Sequence, residues 1–162
     1  MTDAPRKGRE RVALSGFALL LCVSVVLLAT MWPAPIDQGF SGAINRFLDV
    51  LHRNGIPEWF GYNKLEFSAN VLMFLPLGFL LTVILPARFW WLALIMCPAL
   101  SISIELTQGA LLAARFATVS DVIANSSGAL IGILLAVMLR AFIYYRDQKL
   151  IAWALWQHGI RS

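Results

Sequence analysis

The residues of this chain best suited to chemistry are carboxylates and amides set inside apolar runs. Glu105 and Gln108 are three residues apart, and Asp121 and Asn125 are four apart, so each pair lies on one face of a helix. Two carboxylates in different surroundings can acquire different acidities and act as an acid–base or nucleophile pair. We therefore predict Glu105 and Asp121 as catalytic residues.

Further polar residues are predicted to join this pair. Glu66 and Asn70 share a face of an earlier apolar run, and Glu66 is predicted as a third catalytic carboxylate. Arg115 lies in the short connection between Glu105 and Asp121, where it would offset the cost of a buried carboxylate. Its planar guanidinium also suits a substrate phosphate. The predicted substrate-binding residues are Asn70, Gln108, Arg115 and Asn125.

Other catalytic chemistries have less support from the sequence. His52 and His158 lie away from the polar runs, so catalysis by a Ser–His or Cys–His pair is not indicated. Zinc usually requires His or Cys ligands, which the polar set lacks. Oxygen ligands could hold Mg²⁺ or Ca²⁺, but nothing in the spacing requires either ion. We predict no metal and no cofactor.

Four apolar blocks must position the polar residues. The chain has 162 residues, of which 59% are hydrophobic and 14% charged, whereas about a quarter of a soluble domain is charged. Each block is near the length of about 20 residues that a helix needs to cross a bilayer. The predicted spans are residues 12–32, 66–85, 89–112 and 121–144. The net charge of +4 is then attributed to membrane orientation and lipid contact, and no nucleic-acid partner is expected.

The predicted fold class is an all-α polytopic membrane protein with one domain over residues 1–162. A signal peptide is the alternative for the first block, but signal peptides have apolar cores of only about 7–15 residues. An amphipathic helix is predicted on the outer surface over residues 41–54, with Ser41 as its N-cap and Gly55 as its stop. A short, Trp-rich C-terminal helix over residues 150–156 is predicted to lie in the membrane interface.

The basic residues predict that both termini are cytoplasmic. That orientation places nine of the 13 Lys and Arg residues inside: Arg6, Lys7, Arg9, Arg11, Arg88, Arg140, Arg146, Lys149 and Arg161. Four lie outside: Arg46, Arg53, Lys64 and Arg115. Glu66, Gln108, Asp121 and Asn125 then lie at the outer ends of their spans. Glu105 lies roughly 10 Å deeper, at about 1.5 Å per residue. A polar pocket open to the outer face is therefore predicted.

Packing between helices is the alternative explanation for these polar residues. Interhelical hydrogen bonds in membranes are worth about 0.6 kcal/mol each, and at most about 1.7 kcal/mol. Two or three carboxylates and an arginine at one level exceed what packing requires, and ionisable residues within a membrane usually serve function. Gly128 and Gly132 form a GxxxG pattern, so for these two residues we predict helix packing.

Two strings of residues resemble the VanZ-like family of small bacterial integral membrane proteins. The first is Asn70-x3-Phe74-x-Pro76-x-Gly78. The second, more specific string is Glu105-x2-Gln108-x6-Arg115-x5-Asp121-x3-Asn125-x2-Gly128-x3-Gly132. The resemblance covers about residues 63–139. It implies a multi-pass protein of the bacterial plasma (inner) membrane.

The resemblance also implies a role in the cell envelope. The name-giving member of the family is associated with resistance to the glycopeptide antibiotic teicoplanin. Relatedness to enzymes that act on lipid head groups and lipid-carried glycans has been proposed for such proteins. The expected activity is transfer or hydrolysis at a phosphate or glycosidic bond of a membrane lipid or lipid-linked envelope precursor. The alternative is non-catalytic binding of a lipid head group, an amphiphilic drug or an envelope-biosynthesis protein. A transporter is less favoured, because the inner halves of the spans are almost purely apolar.

Overall fold

The computed structural model describes residues 6–31, 39–111 and 118–157. Within these ranges the chain forms five α-helices and one 3₁₀ helix, and no β-strand. The α-helices are α1 (Arg6–Thr30), α2 (Ser41–Arg53), α3 (Tyr62–Ile84), α4 (Ala93–Leu111) and α5 (Val119–Gln157). The 3₁₀ helix, Ala87–Leu92, leads directly into α4.

Four segments are long and apolar enough to cross a membrane: Val12–Thr30, Tyr62–Ile84, Ala87–Leu111 and Val119–Ala154. Many of their large apolar side chains are exposed, Leu72 and Leu106 among them. Outward-facing apolar residues are expected where lipid replaces water around the bundle. The prediction of an all-α polytopic membrane protein with four spans is confirmed. The predicted span ends at residues 32 and 112 lie outside the described residues.

The centre of the bundle is the pair α3 and α5, which make the most extensive contact between helices. Gly128 lies against the backbone of Val71, and Gly132 lies against that of Leu75. The residue numbers at these contacts increase in the same direction along both helices, so α3 and α5 run parallel. A Cβ atom on either glycine would overlap the facing backbone, and Gly78 meets the backbone of α5 in the same way. Such close approach is the usual benefit of small residues between membrane helices.

The other two spans flank this pair. α4 packs mainly against α5, and α1 packs mainly against α3. One apolar core joins all four spans, because each contributes to a single buried cluster: Val26, Phe74, Leu77, Cys97, Ile104 and Ala129.

The third span begins differently from the prediction. The 3₁₀ helix forms its first residues, so the apolar segment begins at Ala87 rather than at residue 89, where the predicted span starts. Arg140 of α5 contacts the end of α3 just before this helix. Its Nη2 donates to the carbonyl oxygens of Val83, at 2.9 Å, and Leu85, at 2.6 Å. These carbonyls close α3, where the helix itself supplies no donors.

The C-terminal segment is the largest departure from the predicted architecture. α5 continues without interruption from Val119 to Gln157, so residues 150–156 extend the fourth span and the prediction of a separate short helix was wrong. Residues 141–157 contain no Gly or Pro, the residues that most often end a helix. At 1.5 Å per residue the helix is about 58 Å long, roughly twice the thickness of the hydrocarbon core. Part of α5 therefore extends beyond the bundle.

The predicted amphipathic helix forms as α2. Gly55 follows its C-cap and has a φ of 95°, so the prediction of a glycine stop is confirmed. The predicted N-cap was wrong by one residue, since Phe40 occupies that position and makes no side-chain cap. The Nε2 of His52 donates to the carbonyl oxygen of Phe60 at 3.1 Å, which ties α2 to the segment leading into α3.

Candidate functional site

The predicted catalytic and binding residues that lie in the described ranges are found where α3 and α5 begin and where α1 and α4 end. Four of the residues at this end are joined by hydrogen bonds and are called the acidic cluster: Asn70, Glu105, Thr118 and Asp121. They come from α3, α4, the residue before α5, and the first turn of α5. The opposite end of the bundle, where α3 ends, is called the far end.

Asp121 is half-buried and accepts two hydrogen bonds. The Nδ2 of Asn70 donates to its Oδ1 at 2.8 Å, which joins α3 to α5. The Oγ1 of Thr118 donates to its Oδ2 at 2.7 Å. The backbone N–H of Asp121 donates to the same Thr118 oxygen at 3.1 Å, so Thr118 is the N-cap of α5. The Asp121 carboxylate is thus fixed in orientation from two sides.

Glu105 is the more buried carboxylate, with 7% of its surface exposed. Its Oε2 accepts a hydrogen bond from the backbone N–H of Thr118 at 3.0 Å. Thr118 therefore contacts Glu105 through its backbone and Asp121 through its hydroxyl. The two predicted catalytic carboxylates lie in one neighbourhood and share this residue as a donor.

A second polar contact lies about one helical turn deeper. The Nδ2 of Asn125 donates to the Oγ of Ser101 at 3.0 Å, between α5 and α4. Ser101 precedes Glu105 by four residues and Asn125 follows Asp121 by four, a rise of about 6 Å. Asn125 is only 3% exposed, and its Oδ1 has no hydrogen-bond partner in the described part of the chain. The Oγ of Ser101 therefore joins two helices.

Gln108 connects the same end of α4 to α1. Its Nε2 donates to the carbonyl oxygen of Thr30 at 2.7 Å, and its side chain is buried. The predicted role of Gln108 was to orient a substrate. The structure shows its amide nitrogen engaged with the last turn of α1 instead.

The remaining predicted site residues have different positions. Glu66 lies one turn before Asn70 on α3 and is exposed. Arg115 lies outside the described residues, and so does its predicted contact with a carboxylate or a phosphate. Gly128 and Gly132 lie in the contact between α3 and α5.

The described residues contain no group of three or more His, Cys, Asp or Glu side chains placed to hold a metal ion. A cavity of about 160 Å³ lies between the start of α2 and the start of α3. Ser41, Ile44, Asn45 and Tyr62 line it. This cavity is at the same end of α3 as the acidic cluster.

Thr118 is the residue that the sequence analysis missed. The spacing Thr118-x2-Asp121 before an apolar run is a capping pattern, so the sequence did contain a signal for it. The partner of Gln108 gave no comparable signal, because a backbone carbonyl is not marked by any residue type.

The fold and the site define an integral membrane protein of four spans with a cluster of carboxylates and amides at one end of its bundle. A model of the VanZ/LLP1 family matches residues 16–140, and the chain belongs to this family. The match confirms the resemblance seen in residues 63–139 and extends it to the first span and α2. No curated protein and no solved structure matches the chain.

Proposed function

We propose that this protein binds the head group of a membrane lipid, or of a lipid-linked envelope precursor, at the acidic cluster. It would catalyse transfer or hydrolysis at a phosphate or glycosidic bond of that molecule. The observation that carries the proposal is the shared contact of Glu105 and Asp121 with Thr118. It holds two carboxylates from different helices close together within a membrane protein, where ionisable groups usually serve function.

The surroundings of the two carboxylates support separate roles for them. Glu105 is nearly enclosed, whereas Asp121 is half-buried and bound by donors from Asn70 and Thr118. When two carboxylates have different environments, one can act as the acid and the other as the base. Asn70 would orient the head group together with Asp121, and Arg115 is proposed to bind its phosphate.

The position of the cluster supports a substrate at the membrane surface. The cluster lies in the end portions of three spans, α3, α4 and α5, and we propose that this level is within reach of lipid head groups. The excess of basic residues on the termini and the far end favours a cytoplasmic far end. We propose that both termini are cytoplasmic and that the cluster faces the outer side of the bacterial inner membrane.

The test replaces Glu105 by Gln and compares the lipid composition of cells that carry wild-type protein, the variant or no protein. We expect the Glu105→Gln cells to match those without the protein, because the variant cannot exchange a proton at this position. Protein abundance in the membrane is measured in parallel. Glu58→Gln is the matched control, since Glu58 is an exposed carboxylate before α3 and outside the cluster. A Glu105→Gln profile equal to wild type, where deletion does change it, would exclude catalysis by Glu105.

Binding without chemistry is the second candidate, and one observation favours it. Both oxygens of Asp121 already accept hydrogen bonds from protein donors, as in a network that only holds helices together. In that case the ligand would be a lipid head group, an amphiphilic drug or an envelope-biosynthesis protein. Lipid retained on the purified protein in native mass spectrometry, with cellular lipids unchanged by deletion, would favour this candidate.

A further inference from the structure

Thr118 makes more contacts than a helix cap requires. An N-cap side chain accepts a hydrogen bond from a backbone N–H in the first turn, and Thr118 does so from Asp121 at 3.1 Å. Its hydroxyl also donates to the Asp121 carboxylate at 2.7 Å. A hydroxyl has one proton and two lone pairs, so it makes both bonds at once.

The backbone of Thr118 makes a third contact, with another helix. Its N–H donates to Glu105 of α4 at 3.0 Å. This N–H lies before the first residue of α5 and is not used within that helix. Two atoms of one residue therefore contact the two carboxylates, and the local geometry of Thr118, together with the bond from Asn70 to Asp121, contributes to their relative position.

We infer that Thr118 is a positioning residue, whose hydroxyl holds Asp121 in the arrangement with Glu105 that the reaction requires. The inference rests on the proposed function and assigns a role that the sequence pattern did not. Thr118 acts through the carboxylates and need not contact the substrate. The hydroxyl is the decisive group, since every residue except Pro supplies the N–H.

Three substitutions separate positioning from capping. Thr118→Ser keeps the hydroxyl and the cap. Thr118→Gly removes the hydroxyl, although glycine is a good N-cap and the N–H remains. Thr118→Val keeps the shape of the side chain and the N–H but removes the hydroxyl, and with it the cap. If Thr118 only caps α5, Thr118→Ser and Thr118→Gly will behave like wild type, and Thr118→Val will lose stability but not activity per folded molecule.

The experiment measures, for each variant, the change in cellular lipid composition and the thermal unfolding of the purified protein. We expect Thr118→Ser to keep wild-type activity. Thr118→Gly and Thr118→Val should each lose activity per folded molecule about tenfold or more, the effect of removing a hydrogen bond to a charged group. The melting temperature should stay close to wild type for Thr118→Ser and Thr118→Gly, and Thr118→Val tests the same loss of the hydroxyl if the glycine variant does not fold.

Each result tests either the positioning role of Thr118 or the proposed function. Wild-type activity per folded molecule in Thr118→Gly and Thr118→Val, with an inactive Glu105→Gln, overturns the positioning role and leaves the proposed function standing. An inactive Thr118→Ser of normal stability also overturns it, because serine makes the same bonds. Wild-type activity in Glu105→Gln overturns the proposed function, and the role of Thr118 with it.

Discussion

The two ends of the bundle use polar groups in different ways. At the far end, Arg140 donates to two backbone carbonyls that α3 leaves unpaired where it ends. This contact satisfies a need that the fold itself creates. In the acidic cluster, Asn70 bonds to Asp121 side chain to side chain, and no helix end requires that bond.

The comparison teaches which polar contacts are explained by folding alone. Arg140 meets an existing requirement of the backbone, so its presence needs no function. The carboxylates of Glu105 and Asp121 introduce a cost into the membrane, which the surrounding donors then offset. A carboxylate that costs free energy in the membrane, and whose position is fixed by surrounding donors, is the better candidate for chemistry.

The largest effect is expected from disrupting the close contact between α3 and α5. In Gly128→Ala, the new Cβ would overlap the backbone of Val71, so α3 and α5 must separate. We expect a loss of about 3 kcal/mol in unfolding free energy, near the upper range for overpacking. Thermal unfolding in detergent and abundance in the membrane measure it. The matched control is Gly16→Ala in α1, where a Cβ meets nothing within 4 Å. Equal stability of the two variants would contradict the close packing.

A smaller effect, confined to stability, is expected at the far end. Arg140→Met leaves the carbonyls of Val83 and Leu85 without this donor. The unfolding free energy should fall by about 1.5–3 kcal/mol, the range for hydrogen bonds to a charged group. Activity per folded molecule should not change. Arg146→Met is the control, because its ion pair with Asp147 is exposed and worth at most about 1 kcal/mol. Loss of activity at normal abundance would show that the far end also serves the reaction.

The smallest effect is expected at the contact between α4 and α1. Gln108→Leu removes the bond to the Thr30 carbonyl and should cost about 0.6 kcal/mol, as is typical within membranes. If Gln108 only ties the two helices, the cellular lipid composition should remain that of wild type. Thr107→Val is the control, since Thr107 is half-buried and bonds within its own helix. A loss of activity in Gln108→Leu alone would instead support the predicted substrate role.

The sequence predicted the spans well, because the length of an apolar run is set by the thickness of a bilayer. It also predicted that Glu105 and Asp121 lie at the same end of the bundle, because Glu105 precedes one short connection and Asp121 follows it. It could not predict the length of α5. The charged stretch at residues 146–149 resembles a span end, but those residues are also tolerated within a helix.

The details of the site depended on information that residue types do not carry. Thr118 had a local signal in its capping spacing, whereas its contact with Glu105 depends on how α4 packs against α5. The spacing of Gln108 predicted that it lies at the same end of α4 as Glu105. Its partner, a backbone oxygen of α1, is set by tertiary packing alone.

Because α5 is long, it extends further beyond the bundle at the far end than the other spans do. Arg140 marks the level where α3 ends, and residues 141–157 continue for about 25 Å beyond it. The glycine contacts hold α5 to α3, so α5 cannot tilt alone to bury this excess in lipid. Trp153 and Trp156, both exposed, are therefore presented outside the bundle, at a distance from the acidic cluster that is set by the length of a single helix.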